Sequence, residues 1–184
     1  MKILLRFLAA TFLLSTAVAW AQPMPATVNT GLLEQAQILN LKPAETNVYA
    51  SGQPTKEQIQ LLANAGIKHI INLRPTSEQD WDEGAYVRSL NLQYHSIPVA
   101  GIEDVTSENA KTLTQLLKTI GNEPVLVHCS SGNRVGALIA VAEHDIKGRD
   151  IEAAIVEGRR WGLTKLEADV RKRMASQGSP GAIK

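Results

Sequence analysis

A cysteine and an arginine five positions later have the spacing of an anion-binding nucleophilic loop. Cys129 is the chain's single cysteine, and Arg134 follows it. The residues between them are small or polar: Ser130, Ser131, Gly132 and Asn133. Backbone N–H groups in such a turn, and in the first turn of a following helix, favour negative charge at one point. We therefore predict a thiolate nucleophile at Cys129, with Arg134 and the four intervening residues binding an anion.

The loop lies between a predicted buried strand and a predicted helix. Residues 124–127 form a short apolar run rich in β-branched side chains, and an Ala/Leu/Ile-rich segment begins after Arg134. His128 comes directly before the cysteine. Because adjacent strand residues point to opposite faces of a sheet, we expect His128 to orient the loop by hydrogen bonding rather than to deprotonate the sulfur.

Further polar candidates follow two other predicted strands. Arg74 comes directly after a strand predicted over residues 67–73, at the kind of strand end where α/β proteins bind ligands. It either helps to bind an anion or pairs at the surface with a carboxylate such as Glu78. Asp104 and Glu103 lie in a loop after the strand predicted over residues 92–99, and either could protonate a leaving group. For Asp104 the alternative is a turn or capping role.

Strands alternate with helices along the chain, which predicts a single α/β domain with a largely parallel central sheet flanked by helices. Thr55 begins one helix, with Gln58 at the capping-box position and Gly66 at its end. Another helix is predicted over residues 76–90, and a third from Thr106 to Ile120. The catalytic domain is predicted over residues 47–176, after a lead-in over residues 22–46 and before a flexible tail over residues 177–184.

The first 21 residues have the pattern of a secretory signal peptide. Lys2 and Arg6 precede an apolar run over residues 7–18, and a small-residue cleavage pattern ends at Ala21. We expect a periplasmic or secreted protein with no stable membrane insertion after cleavage; an uncleaved anchor is the alternative. Removing Lys2 and Arg6 from the 19 basic residues leaves 17 against 18 acidic residues, so no nucleic-acid partner is predicted.

The remaining chemistry-bearing residues do not predict a metal site or a cofactor. The four histidines lie far apart in the sequence without the spacing of metal ligands: His69, His95, His128 and His144. One cysteine cannot form an internal disulfide, so Cys129 is either buried and inert or kept for its reactivity.

The motifs around the loop resemble a known family. Residues 128–134, HCSSGNR, resemble the signature loop of cysteine-dependent protein phosphatases, especially the dual-specificity type. Residues 49–54, 66–75 and 97–99 resemble the small bacterial phosphatase-like family that is also found fused to β-lactamase-like hydrolase domains. The resemblance implies a dual-specificity-phosphatase-like fold and a phosphorylated small molecule or phosphoprotein as substrate.

The resemblance also implies a mechanism that needs no metal. Cys129 attacks phosphorus, Arg134 and the loop amides hold the phosphate oxygens, and Asp104 protonates the leaving oxygen before water releases phosphate.

Two departures from the phosphatase signature keep other functions open. Four residues separate Cys129 from Arg134 where phosphatases have five, and this length resembles the loop of rhodanese-type sulfurtransferases, which carry a persulfide. Val135 stands where phosphatases usually have Ser or Thr to stabilise the thiolate, a role that Ser130 or Ser131 could take. Three hypotheses follow: an exported phosphatase, a sulfurtransferase with a sulfur donor and acceptor, and a non-catalytic anion- or partner-binding module.

Overall fold

A five-stranded sheet forms the centre of the protein, whose computed structural model describes residues 27–176. The strands are β1 (Lys42–Glu45), β2 (Val48–Ser51), β3 (His69–Asn72), β4 (Gln93–Ser96) and β5 (Val125–His128). Their order is β1-β2-β5-β3-β4, with β1 antiparallel to β2 and all other pairs parallel. The predicted signal peptide and the predicted tail lie outside the described residues.

Helices cover both faces of the sheet. They are α1 (Thr30–Gln35), α2 (Lys56–Ala65), α3 (Glu83–Ser89), α4 (Ser107–Ile120), α5 (Asn133–Val141), α6 (Ile151–Arg160) and α7 (Glu167–Ser176). Ile70 and Leu126 pack with α1, α2 and α3, whereas Ile71 and Val127 pack with α4 to α7. The alternation of buried side chains along β3 and β5 therefore divides the core into two layers, as expected of strands buried on both faces.

The strand register brings the carboxyl ends of three strands together. His128 of β5 lies opposite Ser51 of β2 and opposite Asn72 of β3. The loop that starts at Cys129 therefore leaves the centre of the sheet, with the segment after Asn72 beside it. This is the edge where doubly wound α/β proteins place their sites.

Two helix starts follow their sequence signals. Thr55 accepts a hydrogen bond from the Gln58 N–H, and the Gln58 side chain accepts one from the Thr55 N–H, which confirms the capping box of α2. Gly66 ends α2 in the left-handed region with φ +100°. The predicted start of α4 is also confirmed, because Thr106 accepts a hydrogen bond from the Asn109 N–H.

The single helix predicted over residues 76–90 is wrong. The segment forms a 3-10 turn at Thr76–Glu78 and then, after a break, α3. Asp82 causes the break, because its side chain accepts a hydrogen bond from the Ala85 N–H and caps a new helix. The turn and α3 therefore carry Glu78 and Glu83 to different sides of the cysteine loop.

The lead-in predicted over residues 22–46 contributes two elements to the domain. Gln35 ends the short helix α1, and β1 adds an antiparallel edge strand in which Lys42 lies opposite Ala50. Pro43 lies in β1. Because proline lacks an N–H, its presence in a sequence argues against a strand, but an edge strand tolerates it. Among residues 27–176, no helix has the length and apolar character needed to cross a membrane.

Candidate active site

The cysteine loop is a tight connection between β5 and α5. Gly132 adopts a left-handed conformation with φ +86°, which glycine tolerates without strain, and its N–H donates a hydrogen bond to Sγ of Cys129 over 3.1 Å. The Cys129 side chain is fully buried. The sulfur therefore lies at the N-terminus of α5, where backbone donors favour an anion.

Close packing fixes α5 below the loop. A Cβ atom on Gly136 would lie 2.1 Å from the backbone nitrogen of Leu163, so only glycine fits there. The Asn133 side chain accepts hydrogen bonds from the N–H groups of Thr164, at 2.8 Å, and Leu166, at 3.4 Å. The Asn133 side chain therefore ties the loop to the segment before α7, and the predicted role of Asn133 in binding substrate stays a prediction.

Arg134 holds a carboxylate across the loop. Its two terminal nitrogens donate to the two oxygens of Glu78 over 2.9 and 2.6 Å. The same guanidinium donates to the Val99 carbonyl at 2.5 Å and to the Ser130 hydroxyl at 2.6 Å. This paired geometry is the one by which arginine binds carboxylate and phosphate groups.

Both members of this ion pair stay charged. Burial alone would lower the pKa of Arg134, but the hydrogen bonds to Glu78 and the proximity of Cys129 outweigh it and raise the pKa. The hydrogen bond from Arg134 lowers the pKa of Glu78, against the opposing effect of burial, and Ser130 and Arg74 add smaller contributions. The rim of the loop therefore has a permanent positive charge with an anion already on it.

Arg74 reaches the same carboxylate from the other side. Its Nε lies 3.6 Å from Oε2 of Glu78, and it donates to the backbone carbonyl of Glu78. The pairing with Glu78 that the sequence suggested for Arg74 is therefore present, at the rim of the cysteine loop, and its role in binding an anion stays a prediction. The structure thus brings Arg74 and Arg134 together on one anion.

A row of polar side chains, half-buried at Arg74 and Gln53 and buried at Glu83 and His128, connects Arg74 to the base of the loop. Arg74 donates to Oε1 of Gln53 at 2.6 Å, and Nε2 of Gln53 donates to Oε2 of Glu83 at 2.6 Å. Oε1 of Glu83 lies 2.7 Å from Nε2 of His128. His128 thus faces α3, on the opposite side of the sheet from the sulfur, as the strand alternation predicts.

Glu83 is ionised despite being almost fully buried. Burial, the largest influence, raises the pKa of Glu83, but the hydrogen bond and charge of His128 and the hydrogen bond from Gln53 together lower it below its usual value. The sequence interpretation did not include Glu83 or Gln53 in the site. An acidic residue on the core-facing side of a helix is the one signal that could have identified Glu83.

The candidate acid lies next to the loop. The Asp104 carboxylate accepts a hydrogen bond from the Ala100 N–H at 2.8 Å, and the neighbouring Val99 carbonyl binds Arg134. Asp104 is half-buried, whereas Glu103 is exposed. The turn role considered for Asp104 is therefore present, in a segment whose Val99 carbonyl contacts Arg134 directly.

The two loop serines are not hydrogen bonded to the sulfur. The Ser130 hydroxyl donates to Glu78 at 3.2 Å and accepts from Arg134, and the Ser131 carbonyl accepts from the Asn40 side chain at 3.0 Å. In place of the hydroxyl that Val135 lacks, the Gly132 N–H donates to the sulfur.

The remaining histidines form small pairs away from the loop. His69 lies 3.1 Å from His95 and 3.0 Å from Glu123, and His144 lies 2.7 Å from Asp145. Within residues 27–176, no group of three or more potential ligands is arranged to hold a metal ion.

Comparison with known proteins identifies the relatives of this site. The family model described as DSP-PTPase phosphatase fused to NAD+ kinase matches residues 25–176. The dual specificity protein phosphatase TpbA of Pseudomonas aeruginosa is 28% identical over 158 residues, covering 85% of this chain and 65% of TpbA. The β-lactamase hydrolase-like protein of Xylella fastidiosa is 35% identical over 98 residues, covering 50% of this chain and 22% of that protein. The chain thus spans less than two thirds of these relatives' length.

Solved structures share the fold. A Cys-to-Ser variant of TpbA in complex with phosphotyrosine has a TM-score of 0.54 and 24% identity, covering 91% of this chain and 93% of that one. A Neisseria meningitidis protein described as a phosphatase has a TM-score of 0.60 and 26% identity, covering 77% of this chain and 98% of that one. These likenesses confirm the predicted fold, and the family model over residues 25–176 confirms the resemblance to dual-specificity phosphatases.

Proposed function

The chain belongs to the DSP-PTPase phosphatase family, and on this basis we propose that it is a cysteine-dependent phosphatase that hydrolyses phosphate monoesters. The observation that carries the proposal is the position of the Cys129 sulfur. The sulfur accepts a hydrogen bond from the Gly132 N–H at the N-terminus of α5, beside Arg134, which is already paired with the Glu78 carboxylate. This arrangement suits a thiolate that attacks a bound phosphate.

The reaction proceeds in two displacements. The Cys129 thiolate attacks phosphorus, an S–P bond forms, and the P–O bond to the leaving group breaks. The leaving oxygen takes a proton from Asp104. Water then attacks the phosphocysteine, the S–P bond breaks to return the thiolate, and the proton of water passes to the Asp104 carboxylate.

Arg134 supplies charge for the phosphate oxygens. Its guanidinium is paired with Glu78, so a phosphate that enters the cysteine loop replaces the Glu78 carboxylate in some of the hydrogen bonds from Arg134. Arg74, on the same carboxylate, adds a second cation at the rim. Two guanidinium groups beside the loop favour a dianionic phosphate monoester over a singly charged ligand.

The substrate class and the compartment are parts of the same proposal. The relative TpbA was crystallised with phosphotyrosine, which supports an aryl phosphate as the first substrate to test. The signal-like pattern over residues 1–21 supports export to the periplasm or beyond. Cell fractionation with an antibody to the protein tests the export, and finding the full-length chain in the cytoplasm would contradict it.

The length of the loop favours one second candidate, a sulfurtransferase. Four residues between Cys129 and Arg134 make a smaller anion-binding loop than the five residues of the phosphatase signature. In that case the Cys129 sulfur would carry a persulfide in place of a phosphoryl group. The hydrogen bond from Gly132 would stabilise either species.

One paired assay separates the two functions. Purified protein, with its thiol reduced, is given an aryl phosphate in one arm and thiosulfate with cyanide in the other. We expect phosphate release that is lost in Cys129→Ser and falls at least about 100-fold in Arg134→Lys, because lysine cannot replace the paired donors. Thiocyanate release without phosphate release would establish the sulfurtransferase, and silence in both arms would leave an anion-binding module.

A further inference from the structure

Glu83 is a buried carboxylate that touches neither the sulfur nor the rim of the loop. Its two oxygens bind His128 at 2.7 Å and Gln53 at 2.6 Å, and its side chain is 1% exposed. In the described part of the chain, the other ring nitrogen of His128 has no hydrogen-bond partner. The bond to Glu83 is therefore the one polar anchor of the His128 ring there.

The direction of each hydrogen bond in this row follows from the chemistry of its ends. Arg74 can only donate, and an ionised Glu83 can only accept. Gln53 lies between them, so its amide has a single orientation that satisfies both: oxygen toward Arg74 and nitrogen toward Glu83. The contacts have this orientation, at 2.6 Å on each side. The carboxylate of Glu83 thus fixes the orientation of the Gln53 amide, and Gln53 holds Arg74 together with Glu78.

We infer that Glu83 is a positioning residue for the proposed reaction. Through Gln53 it positions Arg74 at the rim, and through His128 it holds the cysteine loop, so that Arg74 and the loop are aligned with each other. The inference rests on the proposed function for its role in turnover. Glu83 and His128 are buried between the sheet and α3, so at Glu83 water cannot take the place of a lost partner without cost, whereas Gln53 and Arg74 are half-buried.

Changing the carboxylate to an amide should disturb the far end of the row. In Glu83→Gln the new amide keeps its oxygen toward His128 and turns its nitrogen toward Gln53. Two N–H groups then face each other, and Gln53 must turn over. Its own nitrogen would then face Arg74, which also only donates, so Arg74 loses its hydrogen bond to Gln53 and keeps only its contacts with Glu78.

A second substitution should restore the pattern. In Gln53→Glu with Glu83→Gln, the carboxylate at position 53 accepts from Arg74 with one oxygen and from the new amide at position 83 with the other. His128 keeps an acceptor. The one contact that is not restored is the 3.0 Å hydrogen bond from Gln53 to the Pro54 carbonyl. The double variant therefore moves the negative charge from position 83 to position 53 and keeps every hydrogen bond in the row from Arg74 to His128.

The test measures kcat and KM on an aryl phosphate, together with inorganic phosphate binding by calorimetry, in the full chain. For Glu83→Gln we expect kcat/KM to fall about 10- to 50-fold and phosphate to bind about tenfold more weakly. The double variant should recover to within about fivefold of the wild type. Glu123→Gln, which alters the similar His69 pair at the opposite end of β3, should change neither quantity by more than about twofold.

Dependence on Arg74 distinguishes positioning from simple loss of stability. Arg74→Gln should weaken phosphate binding about tenfold in the wild type but less than about twofold in the Glu83→Gln background, because there Gln53 no longer holds Arg74 in its binding position. A merely structural role would leave the two losses additive. Thermal unfolding of every variant identifies those that are folded at the assay temperature.

The outcomes are distinguishable from those of the proposed function. Additive losses, or a folded double variant that stays as weak as Glu83→Gln, would overturn the positioning role. If the wild type turns over no aryl phosphate, the proposed function fails, and the phosphate affinities alone still decide whether Glu83 positions Arg74.

Discussion

Two histidine–glutamate pairs lie at opposite ends of the parallel strands. At the carboxyl end, His128 and Glu83 are 2.7 Å apart with side chains 0% and 1% exposed. At the amino end, His69 and Glu123 are 3.0 Å apart with side chains 11% and 63% exposed. The residue types and distances are nearly the same, and the environments differ.

Burial decides what each pair can do. Glu123 can exchange His69 for water at little cost, so its pair contributes little to stability. Glu83 cannot, because removing its partner leaves a charge in the protein interior. We conclude that buried polar bonds hold the carboxyl end of the sheet in one arrangement, which suits the alignment of a nucleophile and two arginines that the proposed function requires.

The largest difference is expected when the histidine of each pair is removed. His128→Ala leaves Glu83 buried without its main partner and should lower the free energy of unfolding by about 3–5 kcal/mol. His69→Ala should cost about 1 kcal/mol or less, because Glu123 is exposed. Urea unfolding of both variants measures the two values. Equal losses would show that burial does not separate the pairs.

Much of this arrangement is encoded in short sequence patterns. The capping box at Thr55 and the cap at Thr106 fixed two helix starts, and the strand–loop–helix pattern placed Cys129. These features depend on neighbours in sequence. The pairing of Arg134 with Glu78, and of His128 with Glu83, joins residues 56 and 45 positions apart, so it depends on how the strands are ordered.

Two parts of the fold differ from the sequence prediction for separate physical reasons. Helical periodicity predicts one helix over residues 76–90, because it does not show that Asp82 will cap a new helix. Strand β1 is not predicted because Pro43 lowers strand propensity, although an edge strand that pairs only with β2 accommodates a proline.

Glycine substitutions extend the comparison to the ends of α5. Gly136→Ala, beside the site, should cost more than about 3 kcal/mol, because its Cβ would overlap the backbone at Leu163 and Gly158. Gly148 follows the π-helical segment Ala142–Ile146 that continues α5, with φ +69° and open space around it, so Gly148→Ala should cost only about 1 kcal/mol of backbone strain. Thermal unfolding checks the ranking, and the reverse order would contradict the packing described.

The stability of the buried pair should depend on pH in acid. The folded-state pKa of Glu83 is lowered, so its contribution is present above the unfolded value of about 4.3 and is lost as pH falls through the lower folded value. The difference in unfolding free energy between the wild type and Glu83→Gln should therefore be largest near pH 6 and shrink below about pH 4. A difference that grows in acid would contradict the ionised state of Glu83.

The smallest expected effect on stability comes from His95, which contacts His69 of the amino-end pair, at a pH nearer to 7. Burial, and to a lesser degree the charge of His69, lower the pKa of His95. The unfolded chain therefore takes up a proton at this position before the folded protein does, and stability should decline as pH falls below about 6.5. His95→Gln should remove a small part of that decline in thermal unfolding between pH 7 and pH 5. If the stability of His95→Gln depended on pH in the same way as that of the wild type, the lowered pKa of His95 would be contradicted.

The phosphocysteine intermediate tests the central claim most directly. The Asp104→Asn variant, in which breakdown of the intermediate should be slowed, is mixed with an aryl phosphate, quenched in acid within the first turnover and analysed by peptide mass spectrometry. We predict one phosphoryl group on the peptide that contains Cys129, and none in the matched Cys129→Ser variant. Phosphate release that proceeds without a phosphoryl group on Cys129, or that survives Cys129→Ser, would contradict the proposed mechanism.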